Sequence, residues 1–421
     1  MEQILDLHIH SQYSRACSRD LNLENIDKTC GIKGIDIIAT GDFTHPSWFK
    51  LIKNELAEIN SSGLYSLKKN NNQKIKFILG TEVSLIYKDK IKCRRIHLCL
   101  FAPNIKAVEE LNNFLEKNNY NLRSDGRPIL GMSAPTLVEI CLKINPRFLI
   151  IPAHIWTPWF SLFGSKSGFD KLEECFENQA KNIFGYETGL SSDPAMNWRI
   201  SELDNLTLLS NSDAHSLGNI GREANIFDLE KIDYKEIYDT IKNKDLKKIK
   251  STIEFYPEEG MYHIDGHRAC GFSSNYIETK KLKGLCQKCA KPLVIGVEYR
   301  VDELADRADG FRPEQSYDYI KLVGLEKIIA ETFNLKTTTA KKVNVEYDNL
   351  INQAGTELDI LQKIDLAILQ KITTPRIVEG IERVREGKVL IQPGFDGQYG
   401  EVKIFSEDEK IKHKKTPRCL T

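Results

Sequence analysis

Ile4-Leu5-Asp6-Leu7-His8-Ile9-His10 is a short apolar run that ends in two histidines. The first 215 residues repeat this design. IDIIATGD ends in Asp42, KIKFILGTE in Glu82, RFLIIPAH in His154 and NIFGYE in Glu187. RRIHLCLF carries His97, and LTLLSNSDAH ends in Asp213 and His215. Most of the intervals leave room for a helix and loops, and 46–60 and 104–117 have helical spacing. Seven strand-like runs with helical spacers predict parallel βα units that close on themselves, with chemistry at the C-terminal strand ends. The step from Glu82 to His97 is too short for a crossover helix. VSLIYKDKIKCRRIH (83–97) therefore predicts a hairpin and an irregular barrel.

In a His-X-His strand the two imidazoles share one face, because strand side chains alternate. Asp213-Ala214-His215 repeats that geometry. His8, His10, Asp42, Glu82, His97, His154, Asp213 and His215 form an all-N/O candidate ligand set, suited to zinc, manganese, magnesium or iron. At about four to six ligands per ion, eight imply two or three ions. Asp213, Glu82 and His154 are the catalytic candidates, the two carboxylates as bridging or anchoring groups. His45 in TGDFTHP competes with Asp42, and Glu187 is a candidate for orienting a ligand or a water. A single strand-end histidine is ordinarily a satisfied core group; eight ligand-type residues at successive strand ends are not.

Past residue 255 the texture changes. YHIDGHRACGFSSNYIETKKLKGLCQKCAKPL (262–293) holds His267-X2-Cys270 and Cys286-X2-Cys289, the spacing of a closed structural zinc site. His263 is the rival fourth ligand. Lys281 and Lys283 lie in a basic loop between the knuckles, suited to phosphates or simply to solvent. Helical spacing recurs over 316–333, 341–353, 356–371 and 375–386, and VLIQPGFDGQYGEVKIF (389–405) reads as two strands about a Gly-rich turn. The expected organisation is a barrel over 1–255, a zinc module over 256–310, a helical domain over 311–405 and a disordered basic tail over 406–421.

Directly after His154 comes IWTPWFSLFGSKSGFD (155–170). Trp156, Trp159 and Phe160 are placed either to stack on an extruded base or to pack the barrel rim. Ser165, Lys166 and Ser167 suit a backbone phosphate, with Arg222, Arg15 and Arg19 as further phosphate candidates.

Composition sets the outer limits. The chain has 421 residues, and 59 Lys and Arg balance 59 Asp and Glu. That balance excludes nucleic-acid binding by bulk positive charge and leaves local patches open. No apolar run approaches the roughly 18 residues of a membrane span. Ten cysteines, most of them scattered, do not make a disulfide framework and fit a reducing, cytoplasmic setting. A start that runs straight into a strand gives no expectation of a signal peptide.

DLHIHS, ATGD, GTE, RRIHLCL, IPAH and NSDAH together resemble the polymerase-and-histidinol-phosphatase (PHP) family. The resemblance implies a distorted (βα)7 barrel with a two- or three-metal phosphoesterase site over about residues 1–255. It implies metal roles for His8, His10, Glu82, His97, His154, Asp213 and His215. Asp42 stands where members often have histidine, and Ala16 where many have another. The order of barrel, DGHRAC…CQKC, GVEYRVDELADRADGFRP and IQPGFDGQYGEVKIF is similar to the endonuclease Q family of DNA-repair enzymes. That resemblance implies damaged DNA as partner, single- or double-stranded, and nicking 5′ of uracil, hypoxanthine, xanthine or an abasic site. It also implies docking of the tail on a sliding clamp. A small-molecule phosphatase of the histidinol-phosphate kind accounts for the barrel but not for the zinc module. A non-catalytic damage sensor does not account for the full ligand set.

Overall fold

The computed structural model describes residues 1–70 and 73–409, so most of the basic tail, 410–421, lies outside the described residues. The fold is mixed α/β with a C-terminal helical region. Glu2–Asp6 is a central strand. It pairs in parallel with Ile37–Ala39 on one side and antiparallel with Ala224–Asp228 on the other. This sheet has eight strands and runs from Asp318–Lys321 at one edge to Leu56–Glu58 at the other. A second sheet of four strands is built on the hairpin of Gly80–Asp89 and Lys92–Phe101, paired antiparallel over their full lengths. Leu149–Pro152 extends the hairpin, and Gly185–Glu187 pairs in parallel with Thr207–Leu209.

The hairpin foreseen between Glu82 and His97 is thus present. Parallel pairing, expected to dominate, is in the minority. Short returns such as KDK and the excursion through Leu56–Glu58 and Leu64–Leu67 can only pair antiparallel. The expected helix over 46–60 stops at Glu55, and residues 56–58 go into a strand.

Two further differences affect the C-terminal half. Of the stretch 316–333, only Leu325–Thr332 is helical; Asp318–Lys321 adds in parallel to Ile249–Glu254. Gly324 separates the two elements as the N-cap of the helix. Residues 356–371 form two short helices rather than one, because Asp365 caps a new start at Leu366. Residues 256–300, whose sequence has little helical periodicity, hold the short helix Tyr276–Lys281 and the start of Val297–Leu304. The helices Lys341–Ala354 and Pro375–Arg385 match their expected spans. Pro375 stands at the first turn, where its missing N–H is harmless, and Ile377, Ile381 and Val384 fall on one buried face.

The helical region is tied to the first strand–helix unit by one buried ion pair. Lys33 Nζ lies 2.6 Å from Glu357 Oε2. Glu357 also accepts from Tyr347 Oη at 2.6 Å and from Leu325 N at 3.0 Å. Gly34 lies beneath this contact with φ +93°, and a Cβ there would fall 2.6 Å from Thr356 Oγ1. Burial opposes the charge on Glu357, but Lys33 and the two donors outweigh it and hold the carboxyl below its ordinary value. Its stabilisation is therefore complete above the ordinary glutamate range and is lost as pH falls through the folded value. Glu357→Ala should cost about 3–5 kcal/mol at neutral pH, because it strands Lys33 and two other donors. Denaturant unfolding should show that gap narrowing as pH falls below about 4. A change under about 1 kcal/mol would contradict it.

Candidate metal centre and adjoining cavity

Ile9 forms a parallel bridge with Ala214, and His10 N donates to Ala214 O at 3.0 Å. This one pairing lays His8-Ile9-His10 beside Asp213-Ala214-His215. His8, His10 and Asp213 therefore meet, with His215 beside them. His8, His10, Glu82 and Asp213 present ligand atoms that all lie within 4.8 Å of one another, as do Glu82, His97 and His154. Glu82 joins the two groups. Its Oε2 lies 3.3 Å from His10 Nε2 and 3.6 Å from His8 Nε2; its Oε1 lies 2.7 Å from His97 Nδ1 and 3.1 Å from His154 Nε2. Asp213 Oδ1 lies 3.1 Å from His10 Nε2. His215 stands at the edge, its ring 4.5 Å from that of His10.

The imidazoles are held from behind. His8 Nδ1 donates to Glu187 at 3.0 Å, and Glu187 also accepts from His154 N and Asn211 Nδ2. His10 Nδ1 lies 3.1 Å from Asp42 Oδ1, whose other oxygen accepts from Ser11 and Ser14. Asp42 thus lies on the far side of His10 from Asp213, where it orients the ring. Glu187 acts likewise on His8. His45 stays outside: it stands at the N-cap position of the helix Pro46–Glu55 without a side-chain capping bond, and its ring stacks on Tyr13. Asp42, His154 and Asp213 take φ of 50°, 30° and 46°, the left-handed backbone that clusters at functional sites.

The donor set fits divalent cations. With Nδ1 spent on a carboxylate, each of His8 and His10 turns Nε2 inward. His8 Nε2 is buried with no hydrogen-bond partner among the described residues. Burial opposes charge on His10, yet Asp42, Asp213 and Glu82 outweigh it and raise the imidazole well above its ordinary range. Burial likewise disfavours the Glu82 carboxylate, but His97, Arg127 and His8 hold it well below its usual value. Burial pulls His97 down to about 4, leaving it neutral. A buried pocket of carboxylates and imidazoles of this kind could hold cations in place of those protons.

Arg127 was not legible as a site residue. Its Nη1 donates to Glu82 Oε2 at 2.9 Å. RSDGRP (123–128) reads as a plain polar turn.

His267, Cys270, Cys286 and Cys289 form a second group that could hold an ion. His267, not His263, completes it; His263 instead faces a cavity. The hairpin of Asp265–His267 and Phe272–Ser274 carries one knuckle. The other is closed by Cys286 N donating to Lys291 O and Ala290 N to Cys286 O, both at 2.8 Å. Burial raises the Cys286 thiol, but amides of Lys288 and Cys289 outweigh it and bring it to about 7, toward the thiolate that a metal needs.

A cavity of about 760 Å³ opens beside His215. Its walls are Trp159, Arg222, Phe255, the segment 257–263 and the hairpin tip at Tyr399. Trp159, Tyr262 and Tyr399 are 50%, 37% and 78% exposed. The two tyrosines were not singled out in the sequence. Of the two alternatives open for Trp156, stacking or packing, the structure shows packing: it is buried and donates to Asn197 Oδ1 at 2.7 Å. Phe160 packs on the His97 ring at 4.8 Å. Ser165 and Lys166 are exposed, whereas Ser167 is buried and donates to Arg95 O. Arg222 Nε donates to Ser212 O at the cavity wall. Lys281 and Lys283 are exposed; Lys280 is engaged by Asp302 and Lys288 by Cys270 O. Among the described residues, no helix is long and apolar enough to cross a membrane.

A family model described as the MJ0043 C-terminal domain matches residues 324–388. The chain is 29% identical over 416 residues to the uncharacterized protein YqxK of Bacillus subtilis, covering 94% of this chain and 98% of that one. It is 34% identical over 259 residues to the uncharacterized protein MJ0043 of Methanocaldococcus jannaschii, covering 59% of this chain and 31% of that one. Its structure superposes on the lesion-specific endonuclease PfuEndoQ of Pyrococcus furiosus with a TM-score of 0.84 and 29% identity, covering 97% and 96% of the two chains. Endonuclease Q in complex with a 27-mer duplex bearing an abasic lesion at the active site gives 0.83 and 29%, covering 97% and 98%. The resemblance to endonuclease Q therefore holds along almost the entire chain.

Proposed function

Given this end-to-end likeness to endonuclease Q, we propose that the protein is a DNA-repair endonuclease. It recognises a deaminated base (uracil, hypoxanthine or xanthine) or an abasic site and hydrolyses the phosphodiester on the 5′ side. The observation that carries the reading is Glu82, one buried carboxylate contacting four imidazoles from three separate segments of the chain, beside an aromatic-rimmed cavity.

In this reading the first 255 residues are a PHP barrel holding two or three divalent ions, zinc, manganese or magnesium. His8, His10, Glu82, Asp213 and His215 hold one part of the cluster, and Glu82, His97 and His154 the other. Such ions, when bound, supply hydroxide near neutral pH and offset the charge of the leaving oxygen. Glu187, Asp42 and Thr157 keep the imidazoles in place; Thr157 Oγ1 lies 3.2 Å from His154 Nδ1. The nick leaves 3′-hydroxyl and 5′-phosphate ends. Residues 256–310 form a zinc module in which His267, Cys270, Cys286 and Cys289 hold one structural Zn2+. Lys281, Lys283, Lys166 and Arg222 meet DNA phosphates. The extruded nucleotide enters the 760 Å³ cavity, which is within the roughly 300–1,000 Å³ of small-ligand sites. Trp159, Tyr262 and Tyr399 stack on bases at its rim. Flipping is easiest where pairing is already weakened, which favours lesions.

The test is incubation with end-labelled duplexes, each holding one uracil, hypoxanthine or abasic site, with Mg2+ or Mn2+. The expected result is a single nick 5′ of the lesion. Hydrolysis of phosphate monoesters with no nick in any duplex would overturn the reading in favour of a small-molecule phosphatase.

A further inference from the structure

The loop 121–128 is fastened to the rim of the cluster at several points. Gly126 N donates to Tyr13 O at 3.0 Å, and Ser84 N to Pro128 O at 3.0 Å. Thr44 Oγ1 donates to Gly126 O at 3.2 Å. Asp125 accepts from the amides of Arg15 and Arg127 at 3.1 and 3.2 Å. A Cβ on Gly126 would fall 2.3 Å from both Asp42 Oδ2 and Ser14 Oγ, so only glycine lets the loop lie this close. The product of all this fastening is the position of Arg127. Its Nη1 reaches the Glu82 oxygen that also faces His8 and His10.

A guanidinium beside a cluster that gathers cations is repelled by those cations. Pairing with Glu82 alone does not call for a guanidinium here, because bound ions would supply that countercharge and the pairing uses only one of its nitrogens. The arrangement makes sense when an anion is shared between the arginine and the cations. Arg127 is suited to that: its side chain is 23% exposed, and its Nε and Nη2 make no hydrogen bond among the described residues. One edge of the fork is fixed on Glu82, and the rest is left for a ligand. Guanidinium matches two oxygens of a phosphate better than a point charge does.

We infer that Arg127 is a catalytic residue that binds a non-bridging oxygen of the phosphodiester being cut. The inference rests on the nuclease reading above. In that reaction a water oxygen bonds to phosphorus, the bond from phosphorus to the 3′ oxygen breaks, and the leaving oxygen takes a proton. Charge on the non-bridging oxygens grows on the way, so a donor fixed beside them acts mainly on the chemical step.

The experiment compares wild type, Arg127→Ala and Arg127→Lys on a duplex with one abasic site, reading kcat, KM and bound metal separately. Arg127→Ala should lose about 10²–10³-fold in kcat with a smaller change in KM and unchanged bound metal. Lysine should restore little of the loss. Free guanidinium should restore part of the rate of Arg127→Ala, whereas methylammonium should not. A kcat within about threefold of wild type would overturn the proposal. So would a loss that tracks lost metal and resists guanidinium, which would make Arg127 a structural partner of Glu82. Wild type that nicks no duplex overturns the nuclease reading instead. In that event inorganic phosphate is the probe: weaker binding to Arg127→Ala supports an anion site, and equal binding overturns it.

Discussion

Glu82→Gln should lower nicking by at least about 10³-fold while leaving affinity for a lesion duplex within a few-fold. One oxygen of Glu82 faces His8, His10 and Arg127, and the other faces His97 and His154. Glutamine keeps the shape but replaces one acceptor with a donor and removes the charge. Whichever way the amide turns, one half of the cluster loses its acceptor. The substitution should also strip the cluster of bound metal, which elemental analysis would read. Glu82 is buried and does not face the cavity walls, so DNA affinity, read by fluorescence anisotropy, should stay close to wild type. Nicking within about tenfold of wild type would contradict the role given to this carboxylate.

Cys286→Ser should open the segment 262–293 without unfolding the remainder. Within that segment only two apolar side chains, Cys286 and Leu293, are buried. So small a core does not hold a module together. A structural zinc ion contributes about 10–16 kcal/mol in small zinc modules, and that binding energy is folding energy. Loss of one ligand should release the ion, raise hydrogen exchange over 262–293 and weaken DNA binding. His267→Ala should behave the same way, and His263→Ala should keep the ion. Retained metal and unchanged exchange in Cys286→Ser would contradict the assignment.

The convergence of side chains at the candidate centre was legible because these residues announce themselves in short strings. His-X-His and Asp-Ala-His each place two ligand-type residues by local geometry, and a single pairing at Ile9 and Ala214 brings the strings together. Asp42 shows the limit of that reading. Residue type alone does not tell a group that faces a metal from one that faces the back of a histidine. The difference is a matter of which side of His10 the carboxylate approaches. Arg127 was invisible for a related reason: its place is set by Gly126, by four hydrogen bonds to other segments and by one within the loop. Pairing between distant strands was equally hidden. DYIK alternates well enough for a strand, but its partner lies at Ser251–Glu254, and the helical run behind it drew it into one long helix. Trp156 and Trp159 are three residues apart and similar in sequence context, yet one is sealed in the core and the other is half exposed. Only packing separates them.

The most direct measurement is the metal content of the purified protein and of Glu82→Gln, side by side. Wild type should hold at least two ions beyond the one at the cysteine group, and Glu82→Gln should lose them while keeping that one. A wild type with a single ion, retained by Glu82→Gln and lost with Cys286, would contradict it, for no cation cluster would then stand where His8, His154 and Asp213 converge.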